Sequence, residues 1–230
     1  MRNDGGIALI GQRGKMDKTL VPKKSKKPVK HRHPAFERSD EFERKKTAMV
    51  QTATYLFNRA GFYATSINDI SNELGISAAA VYYYFSDKTD LLYHCHLSAT
   101  EKSLILAQAS DESGGRGIEK LERYIRSQFK ALISKEGTAW AFADISALDP
   151  IQRKDIVARS REVDNFILRF IEQGIADKSI ATSNPRIAEF FMIGALNWVP
   201  RWYRPDSGLT AEELAEIFLQ FAFDGMRPRA

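Results

Sequence analysis

From Ser39 onward, apolar residues recur three and four positions apart, Pro and Gly sit at the breaks, and no segment alternates apolar and polar over a strand's length. The pattern predicts an all-α chain. A first helix is expected from Ser39 to Arg59, with Ala48, Val50, Ala53, Tyr55, Leu56 and Phe57 as its buried stripe and Gly61 as its stop. A short helix follows from Ser66 to Leu74, with Ile67, Ile70 and Leu74 on one face. Gly75 breaks it, and Ser77 caps a second short helix reaching Phe85. Further helices are expected over Thr89 to Ala109, Ile118 to Lys135, near Trp140 to Leu148, and from Pro150 to Gly174 with Asp149 as cap. Asn184 with Pro185 opens one that runs to Tyr203, and Thr210 with Glu213 forms a capping box for the last, which ends near Gly225.

Two short helices turning on Gly75 read as a helix-turn-helix, whose second member has to pack on one side and meet DNA on the other. Within GISAAAVYYYFSDK, from Gly75 to Lys88, Val81, Tyr84 and Phe85 have the spacing and bulk to pack. On the opposite side Ala78 and Ala79 are small enough to admit a groove, while Tyr82 and Tyr83 offer hydroxyls to phosphate and ring area to sugars or thymine methyls. Consecutive helical residues point about 100° apart, so the three tyrosines cannot share one core. For Thr65 and Ser77, N-capping and DNA contact are compatible roles.

Charge sharpens this picture through its distribution. The net charge is +5, but residues 1–33 hold ten Lys or Arg against Asp4 and Asp17, which leaves 24 basic and 27 acidic residues for the rest. The stretch KTLVPKKSKKPVKHRHP shows no apolar periodicity and is expected to be disordered, either a solvated or foreign extension or an arm lying on DNA. No apolar run approaches the roughly 20 residues a bilayer requires, no secretory h-region is visible, and one cysteine, Cys95, cannot build a disulfide framework within a chain. A cytoplasmic protein with no membrane partner is expected. His94, Cys95 and His96 are adjacent on a helix and diverge around its axis, so no metal site is expected there, and no cofactor is called for.

The run from Thr65 to Leu92, TSINDISNELGISAAAVYYYFSDKTDLL, resembles the DNA-binding signature of the TetR family in Thr65, Ile70, Gly75, Ser77, Tyr82, Phe85, Lys88, Leu91 and Leu92. The resemblance implies a three-helix N-terminal domain in which Thr65, Ser66, Ser77, Ala78, Ala79, Tyr82 and Tyr83 face DNA. It also implies that Lys88, opening a long fourth helix, touches a phosphate. Ala78 stands where relatives usually carry a polar or basic residue, which shifts readout toward Ser77, Tyr82 and Tyr83.

Domains are expected at 1–33 (basic tail), 34–92 (helix-turn-helix) and 93–230 (ligand binding and dimerisation). Aromatic and small residues concentrate in AWAFADISALD and FFMIGALNWVPRWYRP. Trp140, Phe142, Arg159, Phe166, Asn197, Trp198, Arg201 and Trp202 are candidates to line an apolar ligand site, and for any one aromatic a core or dimer role is equally open. Pro200 is expected to kink its helix. Around Arg159, Gly174, Asn197 to Pro205 and the capped last helix, the chain looks like TetR regulators of fatty acid or steroid breakdown that respond to acyl-CoA thioesters. That likeness implies an acyl chain in an apolar tunnel with its coenzyme A portion nearer solvent.

The resulting expectation is a homodimeric repressor on a palindromic operator, its recognition helices about 34 Å apart, released when a hydrophobic effector displaces the fourth helix. A drug-responsive repressor of an efflux pump would share the N-terminal half. A lipid enzyme lacks a nucleophile with its base in this sequence, and a nonspecific DNA-compacting protein would depend on the tail.

Overall fold

The computed structural model describes residues 34–133, 145–203 and 208–224; the basic stretch 1–33 and the ligand candidates Trp140 and Phe142 lie outside the described residues. Within them the chain forms eight α-helices and no strand. These are α1 (Pro34–Ala60), α2 (Ile67–Glu73), α3 (Ala78–Tyr82), α4 (Lys88–Glu112), α5 (Gly117–Ile133), α6 (Pro150–Ala176), α7 (Pro185–Trp202) and α8 (Ala211–Asp224), with a short 3-10 turn at Ile145–Ala147.

The all-α reading holds, and the departures have local causes. α1 begins at Pro34 rather than Ser39, with the proline in the first position where its missing N–H costs nothing. Its buried stripe is Met49, Val50, Ala53 and Phe57, with Leu56 half-buried, whereas Ala48 and Tyr55 face outward. Residues 49, 53 and 57 lie four apart and stack on one face, which turns positions 48 and 55 away. The Tyr55 hydroxyl accepts instead from Arg59 at 3.1 Å. α7 continues through Pro200 and stops at Trp202, so the proline falls in the closing turn rather than bending the middle of the helix.

Two apolar cores organise the chain. The first joins Met49, Ala53, Phe57, Phe62, Ile70, Val81, Phe85, Leu91 and Leu92 beneath α1 to α4, and it also takes in Leu148 and Ile156 from the turn before α6 and its second turn. The second joins Leu121, Tyr124, Phe129, Ile167, Phe170, Leu196, Leu219 and Phe223 from α5 to α8. α6 therefore enters both. Its first turn is fixed by Asp149, whose carboxylate accepts from the Ile151 and Gln152 N–H groups at 2.8 and 3.0 Å.

The start of α5 has no cap of its own in sequence. Its Gly117 and Ile118 N–H groups donate to Asp177 Oδ2 at 2.8 Å and Ser179 Oγ at 3.3 Å, both from the turn after α6. The Ser179 hydroxyl and the Gly117 N–H hold the Asp177 carboxyl below its usual range. This crossing is close enough that a Cβ on Gly117 would overlap Gly174 N and Phe170 O of α6.

Candidate functional site

Helix α2 is started by Ser66, not Thr65. The Ser66 hydroxyl accepts from Asp69 N at 3.1 Å while Asp69 Oδ2 accepts from Ser66 N at 2.8 Å, a reciprocal box that needs a carboxylate three residues on. The Ser66 hydroxyl, which also donates to Asp69 Oδ2 at 2.7 Å, and then the Ser66 N–H hold the Asp69 carboxyl below its usual range. Thr65 is buried, its hydroxyl donating to Gly61 O at 2.8 Å. Gly75 then takes φ +66, a left-handed turn that costs glycine nothing, and Ser77 caps α3 by accepting from Ala80 N at 3.2 Å.

On α3, Val81 and the following Phe85 are fully buried. Ala79 is exposed, Ala78 is half-buried, and Tyr82 and Tyr83 stand out at 54% and 76% exposure. Tyr84 turns back against Phe42, with ring centroids 4.6 Å apart. Phe42 belongs to the part of α1 that precedes its apolar stripe, and nothing in its sequence neighbourhood marks it as the support for this tyrosine. The exposed residues of the motif thus include Ser66, Ser77, Ala79, Tyr82 and Tyr83, while Thr65 is buried.

Lys88 faces inward. Its Nζ donates to Phe62 O and Thr65 O, both at 2.9 Å, and lies 4.2 Å from the centre of the Phe62 ring. The ammonium ties the start of α4 to the turn that launches α2. Replacing Lys88 with Met leaves two carbonyls short of a donor and is expected to cost about 1–3 kcal/mol in thermal or denaturant unfolding. The slope of log operator affinity against log salt should stay unchanged; a slope shallower by about one would put Nζ on a phosphate instead.

In the second half of the chain, α4 to α7 close around a cavity of about 30 Å³ lined by Ala99, Thr100, Ser103, Tyr124, Ser160, Val163, Asp164 and Ile193. Ser103, Tyr124 and Gln128 form a buried hydrogen-bonded triangle on its wall, with a 2.8 Å Ser103–Tyr124 contact. Desolvation pushes the Tyr124 hydroxyl well above the usual phenol range. The space is about that of one water-sized group, far below the roughly 300 Å³ at which organic ligand sites begin, so an organic molecule could enter it only by parting these helices.

The structure scatters the ligand candidates. Arg159 donates to Asp155 at 2.8 Å, and Asp155 also accepts from Tyr93 of α4 at 2.9 Å; the guanidinium and the phenol together hold the Asp155 carboxyl low. Arg159 is thus a strut between α4 and α6. Phe166 packs against the second core under Arg169, whose guanidinium lies 4.1 Å from the ring centre. Asn197 is half-buried, and its Oδ1 has no hydrogen-bond partner. Trp198 and Trp202 lie on the outer face of α7, 64% and 49% exposed; Arg201 falls in the same last turn. Ser160, Asp164 and Glu189, which the structure gathers at or near the cavity, escaped sequence reasoning because single polar residues on an amphipathic helix look like surface.

His94, Cys95 and His96 point into different surroundings. His94 lies 3.8 Å from Asp90, and burial lowers its pKa; Cys95 is buried against Val50 O, its thiol pushed up to about 12 by desolvation. Among the described residues no helix is long and apolar enough to cross a membrane.

Residues 50–95 match the family model "Bacterial regulatory proteins, tetR family", and residues 114–226 match "Tetracyclin repressor-like, C-terminal domain". The chain belongs to the tetR family of helix-turn-helix DNA-binding regulators. It is similar to the HTH-type transcriptional repressor KstR2 of Mycolicibacterium smegmatis, 23% identical over 77% of this chain and 88% of that one. Among solved structures, the ketosteroid transcriptional regulator KstR2 of Mycobacterium tuberculosis superposes with a TM-score of 0.71 at 18% identity, covering 80% and 96% of the two chains. AibR in complex with isovaleryl coenzyme A and operator DNA gives 0.66 at 20% identity, covering 76% and 96%. At these identities the structural likeness speaks for the fold.

Proposed function

We propose that this protein is a homodimeric transcriptional repressor that holds a palindromic operator through α3 and lets go when an acyl-CoA thioester occupies the cavity between α4 and α7. The observation that carries the reading is the course of α6. Ile156 on its second turn is fully buried in the core of the DNA-binding half, and Ser160, Val163 and Asp164, one to two turns on, line the cavity. A ligand that spreads α4 from α6 moves a side chain on which the helix-turn-helix rests. Such a ligand shifts the population only by its preference for the spread state.

The KstR2 repressor of Mycolicibacterium smegmatis supports the sign of regulation, and the AibR complex with isovaleryl coenzyme A supports the thioester class. The dimer is supported by α7, where Ile187, Phe190, Phe191, Trp198 and Trp202 are exposed at helical spacing around Gly194, and by Phe221 on α8. Binding of the purified protein to its own upstream DNA at fixed salt, with and without acyl-CoAs of graded length, tests the reading. Release by none of them removes the thioester assignment. Replacing Tyr83 with Phe takes one hydroxyl from the DNA face without touching the core, and operator affinity is expected to fall about five-fold, as for one lost hydrogen bond.

A further inference from the structure

The cavity between α4 and α7 is mostly apolar, yet polar atoms without hydrogen-bond partners gather around it. Ser160 Oγ, on the cavity wall, is buried and has none. On α7, Glu189 and Asn197 stand one turn before and one turn after Ile193, which lines the cavity, so all three share a helical face. Glu189 has no exposed surface, and its carboxylate meets Arg186 as an ion pair without a hydrogen bond; Asn197 Oδ1 has no hydrogen-bond partner. Asp164, from α6, completes the polar side of the lining. Buried polar groups normally find partners, and several lacking them around one space form a set awaiting a complement.

The charges decide what that complement is. Glu189 Oε2 lies 3.3 Å from Arg186 Nη1, and Asp164 feels the positive charge of both Arg186 and Arg161. Two acids already have two guanidinium groups nearby, so a cationic ligand is not needed to neutralise them. Desolvation, opposed in part by those arginines, raises the Asp164 pKa; desolvation and then the charge of Asp164 raise that of Glu189. Both shifts run toward the neutral form, and in either protonation state each carboxyl offers an oxygen that accepts a hydrogen bond from a ligand hydroxyl.

We infer that the cavity is a terminal subsite for a neutral hydroxyl group at the far end of the effector's apolar portion, held by Asp164 and Ser160 with Glu189 behind them. The effector is then an oxygenated acyl thioester rather than a plain hydrocarbon one. The volume agrees, because about 30 Å³ accepts one such group while the chain that carries it lies in the opened space between the helices. This inference rests on the thioester-responsive reading given above.

The test compares decanoyl-CoA with omega-hydroxydecanoyl-CoA in releasing the full-length protein from operator DNA, with decylammonium as a cationic probe. The hydroxylated thioester should act at about ten-fold lower concentration, the preference should vanish in Asp164→Leu and shrink in Ser160→Ala, and Asp164→Asn should keep it because an amide still donates and accepts. Should Asp164→Leu fail to fold, Ser160→Ala and Asp164→Asn still discriminate. Equal potency of the two thioesters overturns the inference and leaves the thioester reading standing. Persistence of the preference in both Asp164→Leu and Ser160→Ala moves the oxygen elsewhere and overturns it too. Release by decylammonium alone, dependent on Asp164, makes this a cation site; release by no probe brings down the thioester reading and the inference together.

Discussion

A chain carrying Trp198→Glu and Phe221→Glu is expected to run as a monomer and to bind operator at least about 100-fold more weakly than the unsubstituted protein. Both side chains are largely exposed in the single chain, at 64% and 76%, so replacing them removes no core contact. If they meet a second copy across a two-fold axis, each substitution appears twice in the contact and places carboxylates where aromatic area was buried. A helix-turn-helix half that reaches only one half-site loses the linkage between two sites, which is where the large factor originates. Sedimentation or light scattering gives the mass and a titration with operator DNA gives the affinity. A variant that remains dimeric would move the interface off this face.

Gly117→Ala should lower the midpoint of thermal unfolding by about 10 °C, corresponding to about 3 kcal/mol or more in a chain of this size. The added methyl would be driven into Gly174 N and Phe170 O, which are backbone atoms inside α6 and cannot swing aside as a side chain would. The only relief is a separation of α5 from α6, and that also pulls the Gly117 and Ile118 N–H groups off Asp177 and Ser179. Calorimetry reads the shift directly. A change of only a degree or two would mean that the crossing is looser than its geometry states.

Much of this architecture was legible because its signals are local. Asp149, Asn184 and the Thr210–Glu213 box mark the helix starts they sit on, and the left-handed turn at Gly75 separates two helices too short to be mistaken for anything but a corner motif. The alternation of Val81 and Phe85 inward with Tyr82 and Tyr83 outward follows from about 100° per residue. What could not be read is what depends on partners far along the chain. The cap of α5 lies some 60 residues away, and Lys88 finds its carbonyl acceptors 23 and 26 residues upstream. Arg159, read from its charge, serves a link between two helices. The aromatic run on α7 was ambiguous for a physical reason: a face that buries against a second molecule and a face that buries a ligand have the same composition.

The burial of Ile156 and Leu148 in the first core has a consequence for how this protein can be divided. The boundary between the two functional halves falls along α4 in sequence, yet the reading head borrows its last two wedges from residues beyond that boundary. A fragment ending with α4 would carry an open notch where those side chains sit, apolar and facing water. The two halves are therefore not interchangeable parts: a graft that gives this head a new sensor has to bring, at the start of the incoming sixth helix, a residue that fills the same hole.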